Sequence, residues 1–167
     1  NNIFALNRLS SSNTVEGGTS LAYGFNYSIL DKLKSNDIFS FKIANNLRVK
    51  EQDDLPNSSQ LGDKMSNFVT ETKYSPNQYL DLGYSISTKN NLRDLNYENL
   101  TTKININNFI TTFDYLNENN SSEKNSYLLN ETVYKLNDNN SFSFSTRDNK
   151  TTNLTEYYNM MYKYQND

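Results

Sequence analysis

The chain has no cysteine, so no disulfide and no thiolate metal site is possible within these residues. It has no histidine, which removes the usual general base and the usual zinc ligand. A formal net charge of -3 leaves no basic footprint for nucleic acid. No apolar run approaches the ~18 residues that a membrane helix needs. The chain starts at Asn1, with neither an initiator Met nor a signal sequence, and reads as an excised piece of a longer protein. Apolar residues are sparse, at 35 %, with a mean hydropathy of -0.84. An average globular domain holds ~45–50 % apolar residues, counting Gly. Asparagine is the commonest residue, which alone suggests disorder or low complexity. Against that stand 13 Tyr and 9 Phe, and they sit in alternating runs.

The clearest run is Val15 to Leu30. Its odd positions carry Val15, Leu21, Tyr23, Phe25, Tyr27 and Ile29, and its even positions are small or polar. A period of two means an extended strand with two different environments. Soluble strands average ~5–6 residues, whereas a tilted strand that crosses a bilayer needs ~9–11. The same alternation predicts strands near 38–49, 66–74, 79–88, 95–106, 109–116, 126–136, 141–146 and 154–165. The strand at 126–136 is the least clean, because Leu129 and Val133 face away from its other apolar residues. Asn45 likewise breaks the apolar face of 38–49. Ser75-Pro76-Asn77 reads as a tight turn. Polar loops follow the even-numbered strands and tighter turns follow the odd ones, an asymmetry found in bacterial outer-membrane barrels.

Lys42, Arg48, Lys73, Lys103, Lys135 and Lys163 all fall opposite the apolar positions. Lipid enforces such segregation, since a Lys or Arg at its midplane costs ~2–4 kcal/mol. Tyr27, Tyr74, Tyr79, Tyr115, Tyr134 and Tyr164 lie near strand ends, as in an aromatic girdle. The predicted fold is therefore all-β: an antiparallel transmembrane β-barrel, here a partial barrel of about nine strands. Residues 1–14 form the incoming external loop and 15–167 the barrel portion. The candidates for facing the lumen are Lys42, Arg48, Glu71, Lys73, Asp81, Lys103 and Asp114. Nothing in the sequence suggests a catalytic site, a cofactor or a metal. Asp53-Asp54 lacks the spacing of a calcium loop.

Three segments carry a resemblance. Ile3-Phe4 and Asn7-Arg8-Leu9-Ser10 are followed by Val15-Glu16-Gly17-Gly18-Thr19 and then Tyr23-Gly24. Together they resemble the F-x-x-N-R-F-S-G-x-D-R-x-E-G-G stretch of the LptD (OstA/Imp) family of lipopolysaccharide-assembly proteins. Leu9 departs from that pattern, as does Asn13-Thr14 in place of Asp-Arg. Ser75 to Tyr84 is similar to the family's S-P-x-x-x-L-x-L-x-Y hairpin, and Tyr162 to Asp167 to its Y-x-D/N-D/E-C segment. The resemblance implies a large outer-membrane barrel plugged by the lipoprotein LptE. It implies a periplasmic Lpt bridge that delivers lipopolysaccharide, and a lateral gate that releases it into the outer leaflet. It also implies contact with membrane lipid, and a transporter rather than an enzyme. Two other readings stay open: another outer-membrane barrel, such as a porin or siderophore receptor, and a secreted soluble β-rich adhesin or structural protein. The last would press Tyr23, Ile43 and Tyr84 against a second layer.

Overall fold

The alternation becomes a single antiparallel meander. The computed structural model describes residues 17–31, 36–55, 60–119 and 124–165. Its strands are β1 (Ser20–Asp31), β2 (Asn36–Arg48), β3 (Phe68–Asn77), β4 (Leu80–Thr88), β5 (Leu95–Ile106), β6 (Phe109–Asn119), β7 (Lys124–Lys135), β8 (Asn140–Asn149) and β9 (Leu154–Tyr164). They form one open nine-stranded sheet in chain order. The 1–14 loop and the Asn7–Ser10 motif lie outside the described residues.

Several boundaries differ from the sequence pattern. β1 begins at Ser20, because Gly18 turns the chain with a φ of 79°. Ser75-Pro76-Asn77 is not the turn but the end of β3. Proline cannot donate to a ladder, and Pro76 sits where the β3–β4 register shifts, between Tyr74 and Asn77. The chain reverses at 78–79 instead, where the Tyr79 N–H donates to Asn77 Oδ1 at 2.8 Å. β6 and β8 also run further than their apolar residues, through Asn119 and Asn149. The loop asymmetry is correspondingly weaker. Connections at one end span 49–67, 89–94, 120–123 and 150–153, and those at the other span 32–35, 78–79, 107–108 and 136–139.

The register carries more information than the boundaries. The level of Ala44 on β2 passes through Val69, Ser87, Tyr97 and Glu118 to Asn125 on β7. β2 continues above that level to Arg48, whereas β8 stops below it, at Asn149 opposite Tyr127. The other end drops in the same direction, but by less. Ile106, Phe109, Tyr134, Phe142 and Tyr162 are level, yet that level already falls in the turn beyond β3. From β1 to β9 one edge descends by about six residues and the other by about four. With a rise of ~3.3 Å per residue and a strand spacing of ~4.8 Å, this corresponds to a tilt of about 20–27°. The stagger has the sense of a tilted wall and is shallower than the ~35–45° of membrane barrels.

One face of the sheet is predominantly apolar. Leu21, Phe41, Leu82, Ile104 and Phe113 all lie on it. No second layer covers it among the described residues, and Leu21, Phe25, Phe113, Phe142 and Met160 are exposed. Tyr23 and Tyr84 are exposed as well, so the layer contact expected of a soluble sandwich is absent among the described residues. Polar groups on this face satisfy one another. Thr111 and Thr132 share a 2.8 Å hydroxyl contact, and Asn130 Nδ2 donates to Thr111 Oγ1 at 3.1 Å. Such mutual pairing is what a medium without water demands of a hydroxyl or amide.

Among the described residues, the buried apolar side chains gather near the end of β2. Leu55 and Leu61 in the 49–67 connection are buried, together with Ala44. The Gln52 N–H donates to the Gly62 carbonyl at 2.9 Å, and the Ser66 N–H to the Asn46 carbonyl at 2.9 Å. Asn45, the polar break in the apolar face, is fully buried there and donates Nδ2 to the Ser66 carbonyl at 2.8 Å.

Candidate functional site on the polar face

Opposite the apolar side, the register aligns a second, wet surface. All seven charged candidates lie on it, because each pairs across strands with residues of that face. They do not converge on one point. Lys42 stands opposite Glu71, and Lys73 Nζ reaches Glu71 Oε1 at 2.7 Å. Asp81 stands opposite Lys103. Asp114 Oδ1 accepts from Asn99 Nδ2 at 2.5 Å and from Thr101 Oγ1 at 3.3 Å. These are paired charges on an open wall, with geometry suited to a hydrated surface rather than to acid–base chemistry.

Arg48 is different. It is 4 % exposed. Its Nε donates to the Leu61 carbonyl at 2.9 Å, and its Nη1 donates to the Gly17 carbonyl at 2.6 Å and to Gln52 Oε1 at 2.8 Å. A planar guanidinium offers several donors in a fixed fork, which lets one residue hold three separate segments. Arg48 is therefore a clamp between the entry to β1 and the 49–67 connection.

The pattern of lysines and carboxylates missed a second group of residues. On the same face, near the ends of β7, β8 and β9, the Arg147 guanidinium lies 4.1 Å from the centre of the Tyr127 ring. Its Nε is 3.1 Å from Glu156 Oε2. Glu156 also accepts from Asn149 Nδ2 at 3.1 Å. The β8–β9 register shifts between Arg147 and Asp148, and Glu156 is the extra residue of that bulge, so its carboxylate joins the Arg147 side of the sheet. Leu129 and Val133 do face this side, opposite Arg147 and Ser143. Their apparent disorder in the sequence pattern was the available signal.

No group of three or more metal-ligating side chains occurs among the described residues. Among the described residues no helix is long and apolar enough to cross a membrane, which says nothing of a β-barrel. A family model described as LPS transport system D matches residues 1–147. The chain belongs to the LptD family. LptD proteins are outer-membrane proteins of Gram-negative bacteria that transport and assemble lipopolysaccharide. The family is one of transport and assembly, and it works with the Lpt system. No curated protein matches the chain. The match to LptD ends within β8, while β9 continues the same pairing and the same division of faces.

Proposed function

We propose that this chain is a sector of the outer-membrane barrel of a lipopolysaccharide translocon, working to insert lipopolysaccharide into the outer leaflet. The uncovered apolar face carries this reading, and the stagger of the strand ends in one direction is in keeping with it. A nine-stranded sheet with a bare apolar side has no stable solution in water. Wrapped into a larger barrel, that side meets hydrocarbon and the polar side encloses water. On this reading residues 1–14 are an incoming external loop and 15–167 the barrel portion. Lys42, Arg48, Glu71, Lys73, Asp81, Lys103 and Asp114 then belong to the lumenal surface, with Arg48 clamping its outer rim. LptE as the plug and the periplasmic Lpt bridge as the donor come from the family alone. Family membership favours lipopolysaccharide over the small solutes of a porin or siderophore receptor.

Single cysteines test the reading: these residues hold none of their own, and any cysteine elsewhere in the full-length protein is first replaced by serine. They are introduced into the full-length protein in whole membranes. Leu82→Cys and Phe113→Cys are expected to resist a membrane-impermeant maleimide and to react with a lipid-soluble one. Ser85→Cys and Thr112→Cys are expected to react with the water-soluble reagent once the lumen is open to it. The reversed pattern sinks the barrel assignment.

A further inference from the structure

The two edges of the sheet descend unequally, and the edge near the 49–67 connection falls further than the other. The apolar face narrows with them. On β1 it is unbroken from Leu21 to Ile29, a separation of eight residues. On β2 it runs from Phe39 to Leu47, again eight, with Asn45 drawn into the packing around Ser66. On β5, β6 and β7 it runs from Leu100 to Ile106, Phe109 to Tyr115 and Leu128 to Tyr134, a separation of six residues each time. On β8 it ends at Thr146, and Asp148 follows on the same side. At ~3.3 Å per residue and a tilt of about 20–27°, the apolar belt is about 24 Å tall on β1–β2 and about 18 Å on β5–β7. Outer-membrane barrels carry a band ~25 Å tall.

The short part of the belt has a marked upper limit. The next positions on that face are Glu98, Asn117 and Ser126, which pair in one row across β5, β6 and β7. Two tyrosines just below reach this row with their hydroxyls. Tyr84 Oη donates to Glu98 Oε1 at 2.8 Å, and Ser126 Oγ donates to Tyr115 Oη at 3.4 Å. On β9, Tyr158 Oη donates to Thr155 Oγ1 at 3.4 Å. A ring on an apolar surface with its hydroxyl on a polar group suits the boundary between hydrocarbon and headgroups. A bilayer of one thickness would draw Glu98 and Asp148 into hydrocarbon or leave Leu21 and Leu47 in water. A carboxylate within the membrane is costly, whereas a bilayer thins beside a short apolar stretch at a modest cost per Å.

We propose that the lipid around this wall is uneven in depth: a bilayer of ordinary thickness meets β1–β2, and one thinned by about 6 Å on its outer side meets β5–β8. The proposal rests on the barrel reading above. Its test is a depth profile of the full-length protein, cleared of other cysteines and reconstituted in dioleoylphosphatidylcholine vesicles. Single cysteines at alternate positions of β1 and β6 are spin-labelled, and contact with a water-soluble relaxing agent is compared with contact with oxygen. On β1, labels from Leu21 to Ile29 are expected to be shielded from the aqueous agent. On β6, labels from Phe109 to Tyr115 are expected to be shielded and Asn117→Cys to be in contact with it, a shielded length shorter by about 6 Å. Equal shielded lengths on the two strands, with Asn117→Cys as deep as Leu21→Cys, overturn the proposal and leave the barrel reading standing. Aqueous contact all along β1 overturns both. A second arm lengthens the short belt. In a Glu98→Leu/Asn117→Leu background, a label at Ser126→Cys is expected to lose the aqueous contact that it has in the parent. An unchanged label there also overturns the proposal.

Discussion

The two ends of this sheet solve opposite problems. At the outer end of β1–β3, the chain folds back on itself and packs Leu55, Leu61 and the Arg48 guanidinium into a small buried knot. At β9, every residue from Leu154 to Tyr164 is exposed, and both faces carry large side chains such as Tyr157, Tyr158, Met160 and Met161. The first region holds its order through local hydrogen bonds and can be judged as a unit of ordinary protein interior. The second is ordered by one neighbouring strand and by whatever medium or strand lies beyond it. Stability in the knot is therefore a matter of internal contacts, whereas in the wall it is a matter of solvent.

Substitutions can sharpen or break that contrast. The largest effect is expected in the knot. Arg48→Ala removes charge-assisted bonds to Gly17, Gln52 and Leu61 and leaves buried carbonyls unmatched. A loss of about 3–5 kcal/mol in unfolding free energy is expected. It is measured by denaturant titration of the full-length protein in detergent, with early proteolysis within 49–67 as a local readout. A change below about 1 kcal/mol would show that the knot is only decoration.

Next comes the wall. Phe113→Arg places a cation on the apolar face, where lipid imposes a penalty of about 2–4 kcal/mol. Thr112→Arg, one residue along and on the other face, is expected to cost under about 1 kcal/mol. Refolding both variants into vesicles compares them directly, and equal penalties would remove the distinction between the faces.

The smallest effect separates two glycines. A Cβ on Gly24 would lie 2.5 Å from the Ile43 carbonyl oxygen and 3.0 Å from the Ala44 Cβ. Gly24→Ala is expected to cost about 1–3 kcal/mol through strain in the β1–β2 pair. A Cβ on Gly83 would meet the Thr101 Cβ at 3.8 Å, an ordinary contact. Gly83→Ala is expected to be neutral or stabilising by a few tenths of a kcal/mol. Thermal melts of the two variants check the difference.

Much of the wall was legible in the residues, and most of the knot was not. A two-residue period fixes which side chains share a face, so Phe41, Leu82 and Phe113 could be aligned before any coordinates existed. Strand ends were harder to place. Asn117 to Asn119 pair in β6 although nothing apolar marks them, because backbone pairing needs no apolar side chain to continue. The 49–67 stretch reads as a solvated loop, since its burial depends on one guanidinium reaching two backbone carbonyls, of Gly17 and Leu61, and the Gln52 side chain. That convergence has no periodic signature. Arg48 was accordingly grouped with Lys42 and Lys73 by face, which is where it points, without a hint that it is enclosed. The Arg147 group went unread for the converse reason. Tyr127 and Leu129 look like isolated slips of the alternation until the register lines them up beside Arg147.

Every strand pairs with its neighbours in the chain, and no crossover connects distant ones. Assembly of such a meander requires no long-range search: each new hairpin finds its template in the one just laid down. The growing sheet then always presents one fresh edge, and insertion can advance pair by pair from either side. The order of translation is also an order in which this wall can be built.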